Sequence, residues 1–560
     1  MQKFTTTLFF SFLISFTFSQ TLLRGPYLQK QTATSINVKW RTDTTTNSRV
    51  YYGTSLSNLS QSVFIADTVR DHDILVSGLQ PYTKYFYKIE SNNTVLSGPD
   101  SNHHFMTAPI PGTVQPIRVW SIGDFGKASD CERETRNSYL NYSAGKPTDV
   151  WLWVGDNAYN DGTDQEFQDK VFTGPNAFGE VFKNMHFYPC PGNHDYNSIC
   201  PVPCGQDPYT HVGPYYSIVT VPTQAEAGGV ASTLENYYSF DYGNAHFISL
   251  NSELGSQNIN FDWSGVYTAG DTSSPMLKWL KQDLQTNTKQ WVIAYWHQPP
   301  YSKGSHNSDN TWEIYMKAVR QKWLPILESY GVDIVLNGHS HVYERSYLIK
   351  GHYGLSSTFD PALHLVNGTS GNESLGESYI KYTDGPNPNK GTVYINSGNA
   401  GSGDSNPPLL TAQHPVMFFS DGGDNVCGSF MMDINDNKLT GKYLSIDGTI
   451  KDQFTIQKQS ITGIEKGYDF FKNVKNVTVT PNPFISKASI KYELTQPSQM
   501  SIDIYSQDGK YAFKVFSGKQ NEGKQEITLD SEIFNLASGH YVLKITDGNS
   551  TGYEKLIKVN

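Results

Sequence analysis

Five stretches, IRVWSIGDFG (117–126), DVWLWVGDNAY (149–159), MHFYPCPGNHD (185–195), WVIAYWHQPP (291–300) and VDIVLNGHSH (332–341), share one plan. Each is a short apolar run that stops at glycine or proline beside acids, amides or imidazoles. Runs this short, rich in β-branched and aromatic residues, suit strands buried on both faces. HFISL (246–250) reads the same way. Helical stretches lie between them: Ser274 and Pro275 supply an N-cap and first helical position for MLKWLKQDL, and 311–329 is a second amphipathic run containing Pro325. Alternating strands and helices predict α/β layering. The polar motifs fall at strand ends, where such sheets collect ligands.

Those ends carry Asp124, Asp156, Tyr159, Asn193, His297, His339 and His341. The donors are three oxygen anions, one amide and three imidazoles. They suffice for two cations about 3.5–4 Å apart that share one carboxylate and leave positions open, the arrangement that assists displacement at phosphorus. Taken singly, each motif is weak, because Gly-Asp after a strand is often only a turn. The set carries the argument. Glycines at these points let the backbone turn sharply and approach an ion closely.

The flanks are different. Residues 22–109 alternate short β patterns, SINVKWRT (35–42), RVYYG (49–53), HDILVSGL (72–79) and TKYFYKIE (83–90), with turns. They predict an all-β sandwich of fibronectin type III kind, a packing or cleft partner with no chemistry of its own. GTVYINSGNAGSG (391–403) and a β-rich tail close the central region, and from Val477 the chain is again all-β. The fold expected is multidomain: an N-terminal sandwich over 21–110, an α/β domain over 111–457, a linker at 458–475 and a C-terminal sandwich over 476–560. Residues 1–20, with Lys3 ahead of an apolar run from Leu8 to Phe18 and small Ser19, read as a signal peptide. No later segment reaches the roughly 18 apolar residues of a membrane span.

Aromatics at 13% and charged residues at 17% suit a β-rich extracellular protein, and a net charge of −10 argues against a nucleic-acid partner. Cysteines stand at 131, 190, 200, 204 and 427, so at least one thiol has no partner within the chain. Cys190 is placed to bridge Cys200 or Cys204 and stiffen the Asn193 loop, or to remain a buried thiol.

Across about 22–456, including RGPYLQ (24–29), the chain resembles a purple acid phosphatase, a branch of the calcineurin-like metallophosphoesterases. That pattern is D-x-G, G-D-x-x-Y, G-N-H-[DE], a later His and G-H-x-H, and every element is met. The resemblance implies a four-layer β-sandwich flanked by helices. It assigns Asp124, Tyr159 and His341 to a first ion, Asn193, His297 and His339 to a second, and Asp156 to both. A phenol with pKa near 10 becomes a phenolate ligand at acidic pH only beside a strong Lewis acid, which favours Fe(III) at the first site. The second ion is divalent Zn, Fe or Mn. His194 is expected to face phosphoryl oxygens or the leaving group, with Asp195 orienting it. His306 stands where relatives place an imidazole that protonates the departing alkoxide. Some relatives have a second histidine beside it where this chain has Asn307, so a surface-loop reading of His306 stays open.

Residues 477–560, with PNPF (481–484), IDIYSQDGK, LASGHYVLKI and a closing KLIKV, resemble the type A sorting domain of bacterial type IX secretion cargo. That implies export, the type IX machinery as a partner, and release or attachment at the cell surface with the tail removed. An ordinary carbohydrate-binding or spacer domain is the alternative. The function expected is a secreted acid phosphatase that hydrolyses monoesters by attack of a metal-bound hydroxide, without a phosphoenzyme. Phosphodiesters, nucleotides or inositol phosphates are alternative substrates, selected by loops such as 196–236 and 252–274. A non-catalytic surface binding protein is the alternative of another class, and it predicts missing ligands.

Overall fold

A computed structural model describes residues 20–195, 213–253, 274–384, 388–403, 413–423, 426–460, 473–506, 510–548 and 551–559. Residues 1–19 of the expected signal peptide, both Cys200 and Cys204, and residues 196–212 and 254–273 of the two expected selectivity loops lie outside them. The protein is multidomain and strand-rich, 44% strand and 15% helix.

Two seven-stranded sheets form the centre. The first runs Tyr379–Tyr382, Ile450–Gln459, Lys438–Ser445, Gly428–Asn435, Ile117–Ile122, Val150–Val154, Phe187–Cys190. The second runs Tyr238–Tyr242, Ala245–Ser249, Trp291–Tyr295, Ile334–Asn337, Val393–Ser397, Tyr343–Ser346, Met417–Asp421. Ile117–Ile122, Val150–Val154 and Phe187–Cys190 are mutually parallel, as are Ala245–Ser249, Trp291–Tyr295, Ile334–Asn337 and Val393–Ser397. Ring stacks tie sheet to sheet: Tyr188 on Phe240 at 3.7 Å and Tyr343 on Tyr443 at 4.0 Å between centroids.

The outer faces follow the period-2 rule of strands. Trp120, Trp151 and Trp153 point away from the second sheet and are covered by Tyr139 of helix Asp130–Tyr142, with Phe178 and Phe182. Ile248, Val292, Ala294 and Val335 pack under Met276, Leu280, Leu284, Trp323 and Leu327. Helix Pro275–Thr286 starts as its sequence dictates, with Ser274 Oγ accepting from Leu277 N at 3.3 Å. The run expected over 311–329 divides into Ile314–Lys322 and Leu324–Ser329, because Pro325 opens a second helix.

In the N-terminal unit, the strands expected at 35–42 and 49–53 run as one, Ser35–Gly53, whose register against Gln61–Ser77 breaks between Arg41 and Thr46. RGPYLQ fastens this unit to the centre. Arg24, 1% exposed, donates to Gln168 Oε1 at 2.9 Å and Asp164 Oδ1 at 3.1 Å, and Tyr27 Oη donates to Ile218 O at 3.2 Å. Cys190 is a buried free thiol, the second of the two readings left open for it, and Cys131 pairs with Cys427, 296 residues away. The C-terminal unit places a three-stranded sheet and a four-stranded sheet around Ile490, Tyr492, Ile502, Ile504 and Leu543. No helix among the described residues is long and apolar enough to cross a membrane.

Candidate metal centre

The parallel strands of both sheets deliver their C-terminal ends to one place. Asp124 follows Ile117–Ile122, Asp156 follows Val150–Val154, Asn193 follows Phe187–Cys190, His297 follows Trp291–Tyr295, and His339 and His341 follow Ile334–Asn337. Asp124, Asp156 and His339 adopt φ of 58°, 51° and 69°. Left-handed backbone at three such residues is strain held by the surrounding packing, of the kind that collects at functional sites. Gly155 makes room for it: a Cβ there would lie 2.5 Å from His297 Nδ1.

All seven side chains meet. Tyr159 Oη lies 2.8 Å from Asp124 Oδ1, 3.0 Å from Asp156 Oδ2 and 3.3 Å from His341 Nε2. Asn193 Oδ1 lies 3.1 Å from His297 Nε2 and 3.0 Å from His339 Nδ1. Asp156 Oδ2 is also 3.2 Å from His297 Nε2, so one carboxylate oxygen touches both groups. His339 N donates to Asp124 Oδ2 at 2.9 Å, which locks the two groups together through the backbone.

The donor chemistry fits cations. His297 Nδ1 donates to Val154 O at 3.0 Å, and this fixes its tautomer with the Nε2 lone pair aimed at the Asp156 carboxylate and the Asn193 amide oxygen. In the neutral ring three electron pairs would converge there, and either a cation or a proton on Nε2 must separate them. In the cation-free chain, burial pushes the His297 imidazolium pKa down, but Asp156 and Asp124 outweigh it and hold it well above the ordinary value. Burial, reinforced by Asp124 and Asp156, drives the Tyr159 phenol well above 10.0. His339 goes the other way, lowered by burial and by His306 and His297, and is neutral as a ligand must be. Asp156, His297 and His339 also form a group whose donor atoms lie within 4.8 Å of one another.

His194 and His306 stand at the mouth, 37% and 36% exposed. His194 N donates to Asp156 Oδ1 at 2.8 Å and its ring lies 4.4 Å from the Tyr159 ring. The ring is oriented by Asn160 O on Nδ1. Asp195 serves the loop instead: its carboxylate accepts from Gly192 N at 2.7 Å and from Asn157 N and Nδ2 at 3.0 and 2.8 Å. The His306 ring lies 3.8 Å from that of His339 and bonds Glu313 Oε1 through Nδ1 at 2.8 Å. Asn307 turns away, its Oδ1 accepting from Asp309 N at 3.0 Å. Ser340, between the two histidines of GHSH, holds the His306 loop by Ser302 Oγ at 2.9 Å and His306 N at 3.3 Å.

Glu313 and Lys127 were not legible as site residues. Glu313 is seven positions from His306 with no pattern between them; Lys127 directly follows the GDFG motif, and that adjacency was its one signal.

Three family models match the chain: calcineurin-like phosphoesterase over 117–343, the purple acid phosphatase N-terminal domain over 26–107, and the secretion system C-terminal sorting domain over 478–559. The chain thus carries a calcineurin-like phosphoesterase domain behind a purple acid phosphatase N-terminal domain, and it resembles the purple acid phosphatases. This phosphoesterase is 27% identical over 341 residues to purple acid phosphatase 15 of Arabidopsis thaliana, covering 56% of each chain. It is 25% identical over 502 residues to an uncharacterized protein of Mycobacterium tuberculosis, covering 78% of this chain and 87% of that one. Its fold is that of the purple acid phosphatase isolated from yellow lupin (Lupinus luteus) seeds, with TM-score 0.55 and 17% identity over 78% of this chain and 74% of the other. It is a phosphoric ester hydrolase, and its sorting domain marks it for secretion and cell-surface attachment.

Proposed function

We propose that this phosphoesterase is a secreted acid phosphatase that hydrolyses phosphate monoesters at a dinuclear centre. Asp124, Tyr159 and His341 would hold Fe(III), Asn193, His297 and His339 a divalent Zn, Fe or Mn, and Asp156 both. The observation that carries this reading is Asp156 Oδ2, in contact at once with Tyr159 Oη and His297 Nε2. When bound, the two cations supply Lewis acidity toward phosphoryl oxygens and make a water acidic enough to attack near or below neutral pH.

The remaining work falls to the chain's own groups. His194 presents its imidazole to the phosphoryl oxygens from beside Tyr159. His306, with Nδ1 held by Glu313, keeps Nε2 for the leaving group: as the P–O bond to the alkoxide breaks, Nε2–H passes its proton to that oxygen. Asp195 positions the Asn193–His194 turn. Export runs through a signal peptide over 1–20 and the type IX machinery acting on the tail, with domain limits at 110, 457 and 476.

The test is spectroscopic and catalytic on the purified protein. Two cations per chain, a visible tyrosinate-to-iron band abolished by Tyr159→Phe, and faster release of phosphate from monoesters than from diesters, nucleotides or inositol phosphates are expected. A colourless enzyme active with divalent ions alone would reject Fe(III), and faster diester cleavage would reject the monoester assignment.

A further inference from the structure

The loop that carries His306 is tied down by the segment that follows strand Ile334–Asn337. Ser340 Oγ accepts from His306 N at 3.3 Å and from Ser302 Oγ at 2.9 Å, Ser305 Oγ accepts from His341 N at 2.9 Å, and Glu344 Oε1 accepts from Lys303 N at 3.1 Å. The approach is close: a Cβ on Gly304 would lie 2.4 Å from Ser340 Oγ. Within the loop, Lys303 pairs antiparallel with Asn307, and Ser308 N donates to Ser302 O at 3.0 Å. So 302–308 is a tight hairpin, and a shift at Lys303 moves His306. Of these anchors Glu344 alone is charged and alone sits on a strand. It lies on Tyr343–Ser346 opposite Asn396 of Val393–Ser397, and Asn396 Nδ2 reaches Glu344 Oε2 at 3.5 Å and Ser340 O at 3.0 Å.

Glu344 is fully buried, and burial raises its pKa from 4.5 to about 6, with no basic side chain among the described residues to offset it. A buried carboxylate without a cationic partner is costly, and a neutral amide could accept from a backbone N–H at less cost. What the carboxylate adds is a charge-assisted bond to Lys303 N from a rigid strand. That bond fixes where the hairpin sits, and the hairpin decides where the His306 ring stands over His339, 3.8 Å between centroids. Glu313 on Nδ1 turns the ring, but the backbone places it. Proton transfer to a departing oxygen tolerates little displacement. We infer that Glu344 is a positioning residue for His306, holding the loop backbone so that Nε2 meets the leaving-group oxygen. This rests on the reading of His306 as the proton donor given above, and it names the residue on which that donor's placement depends.

The experiment compares an alkyl with an aryl phosphate monoester on the metal-loaded full-length protein, because a departing alkoxide needs the proton far more than a phenolate does. Glu344→Gln leaves one acceptor oxygen for two donors, Lys303 N and Asn396 Nδ2. It should lower kcat about tenfold for the alkyl ester and at most about twofold for the aryl ester, with both cations retained. In a His306→Gln background, already slow on the alkyl ester, the same change should cost no more than about twofold on either ester. Ser340→Ala cuts the neighbouring tether and should show the same bias, which keeps the test alive if the Glu344 variant does not fold. No loss on the alkyl ester, equal losses on both esters, full additivity with His306→Gln, or loss of cations overturns the inference alone, as does a Ser340→Ala variant without the bias. A His306→Gln variant that slows both esters alike overturns the reading of His306, and the inference with it.

Discussion

Strand Ile334–Asn337 carries a buried ionic cluster at each end, and the two obey opposite rules. Before it, Asp333 pairs with Lys381 at 2.6 Å and accepts from Lys458 at 2.7 Å, all three at most 1% exposed, with Val292 N on the same carboxylate at 3.0 Å. The two lysines come from the first sheet and the carboxylate from the second, so the cluster clamps the sandwich. Burial raises the Asp333 pKa, but Lys381 and Lys458 outweigh it and hold the carboxyl below its ordinary range. After the strand, His339 and His341 enter a cluster in which carboxylates face a phenol, an amide oxygen and imidazole lone pairs. The first cluster is complete within the chain. The second gathers electron pairs and left-handed backbone, with Lys127 at its edge 3.5 Å from His341 Nε2, and this crowding makes it a binding site for cations.

The contrast can be broken at either end. Asp156→Asn should have the largest effect: cation affinity at least about a hundredfold weaker and turnover at background. The cation-free protein should lose less stability than in the Asp333 variant below, because His297 can shed the proton that Asp156 holds on it. Metal analysis and calorimetry on one preparation check both, and a loss as large as that of Asp333→Ala would contradict the contrast.

Asp333→Ala should do the reverse, because it strands two buried ammonium groups. We expect a loss of about 3–5 kcal/mol in urea unfolding, with both cations still bound by the folded fraction. Replacing Lys381 and Lys458 by Met in the same background should recover much of the loss. A single variant as stable as the parent would show that the clamp carries no stability.

A third buried cluster sharpens the rule through pH. His246 bonds Asp241 Oδ1 at 2.7 Å and Asp283 Oδ2 at 2.8 Å, and Lys289 meets Asp241 at 3.0 Å. Burial lowers the His246 pKa, but the two carboxylates outweigh it and raise it from 6.5 to about 9. A raised histidine stabilises fully below its unfolded value, and that stability is lost as pH climbs through the folded one. Unfolding midpoints should therefore fall between about pH 6.5 and 9, by of order 1–3 kcal/mol in total. His246→Gln should flatten that slope, and an unchanged slope would assign it elsewhere.

Much of this was readable in advance because it is local. An apolar run ending in Gly-Asp or Gly-His is a strand and its exit, and the exits of parallel strands in one sheet share one edge, so Asp124 with Asp156, and His297 with His339 and His341, were visible as sets; the packing of the two sheets is what joins them. Ser274-Pro275 announced a helix for the same reason. The long strand Ser35–Gly53 was not visible, since a register break at Arg41–Thr46 looks in sequence like a turn. Nor was the pairing of Cys131 with Cys427, because an odd set of cysteines leaves connectivity open.

The sequence by itself determined the kinds of donor, their order, and their position at strand exits, because backbone periodicity and turn chemistry act over a few residues. Only the tertiary structure decided which atoms touch. It placed Asp156 Oδ2 against both ligand groups, Glu313 behind His306, Lys127 over Tyr159 and two lysines around Asp333, because sheet register and loop packing join residues that no local pattern connects.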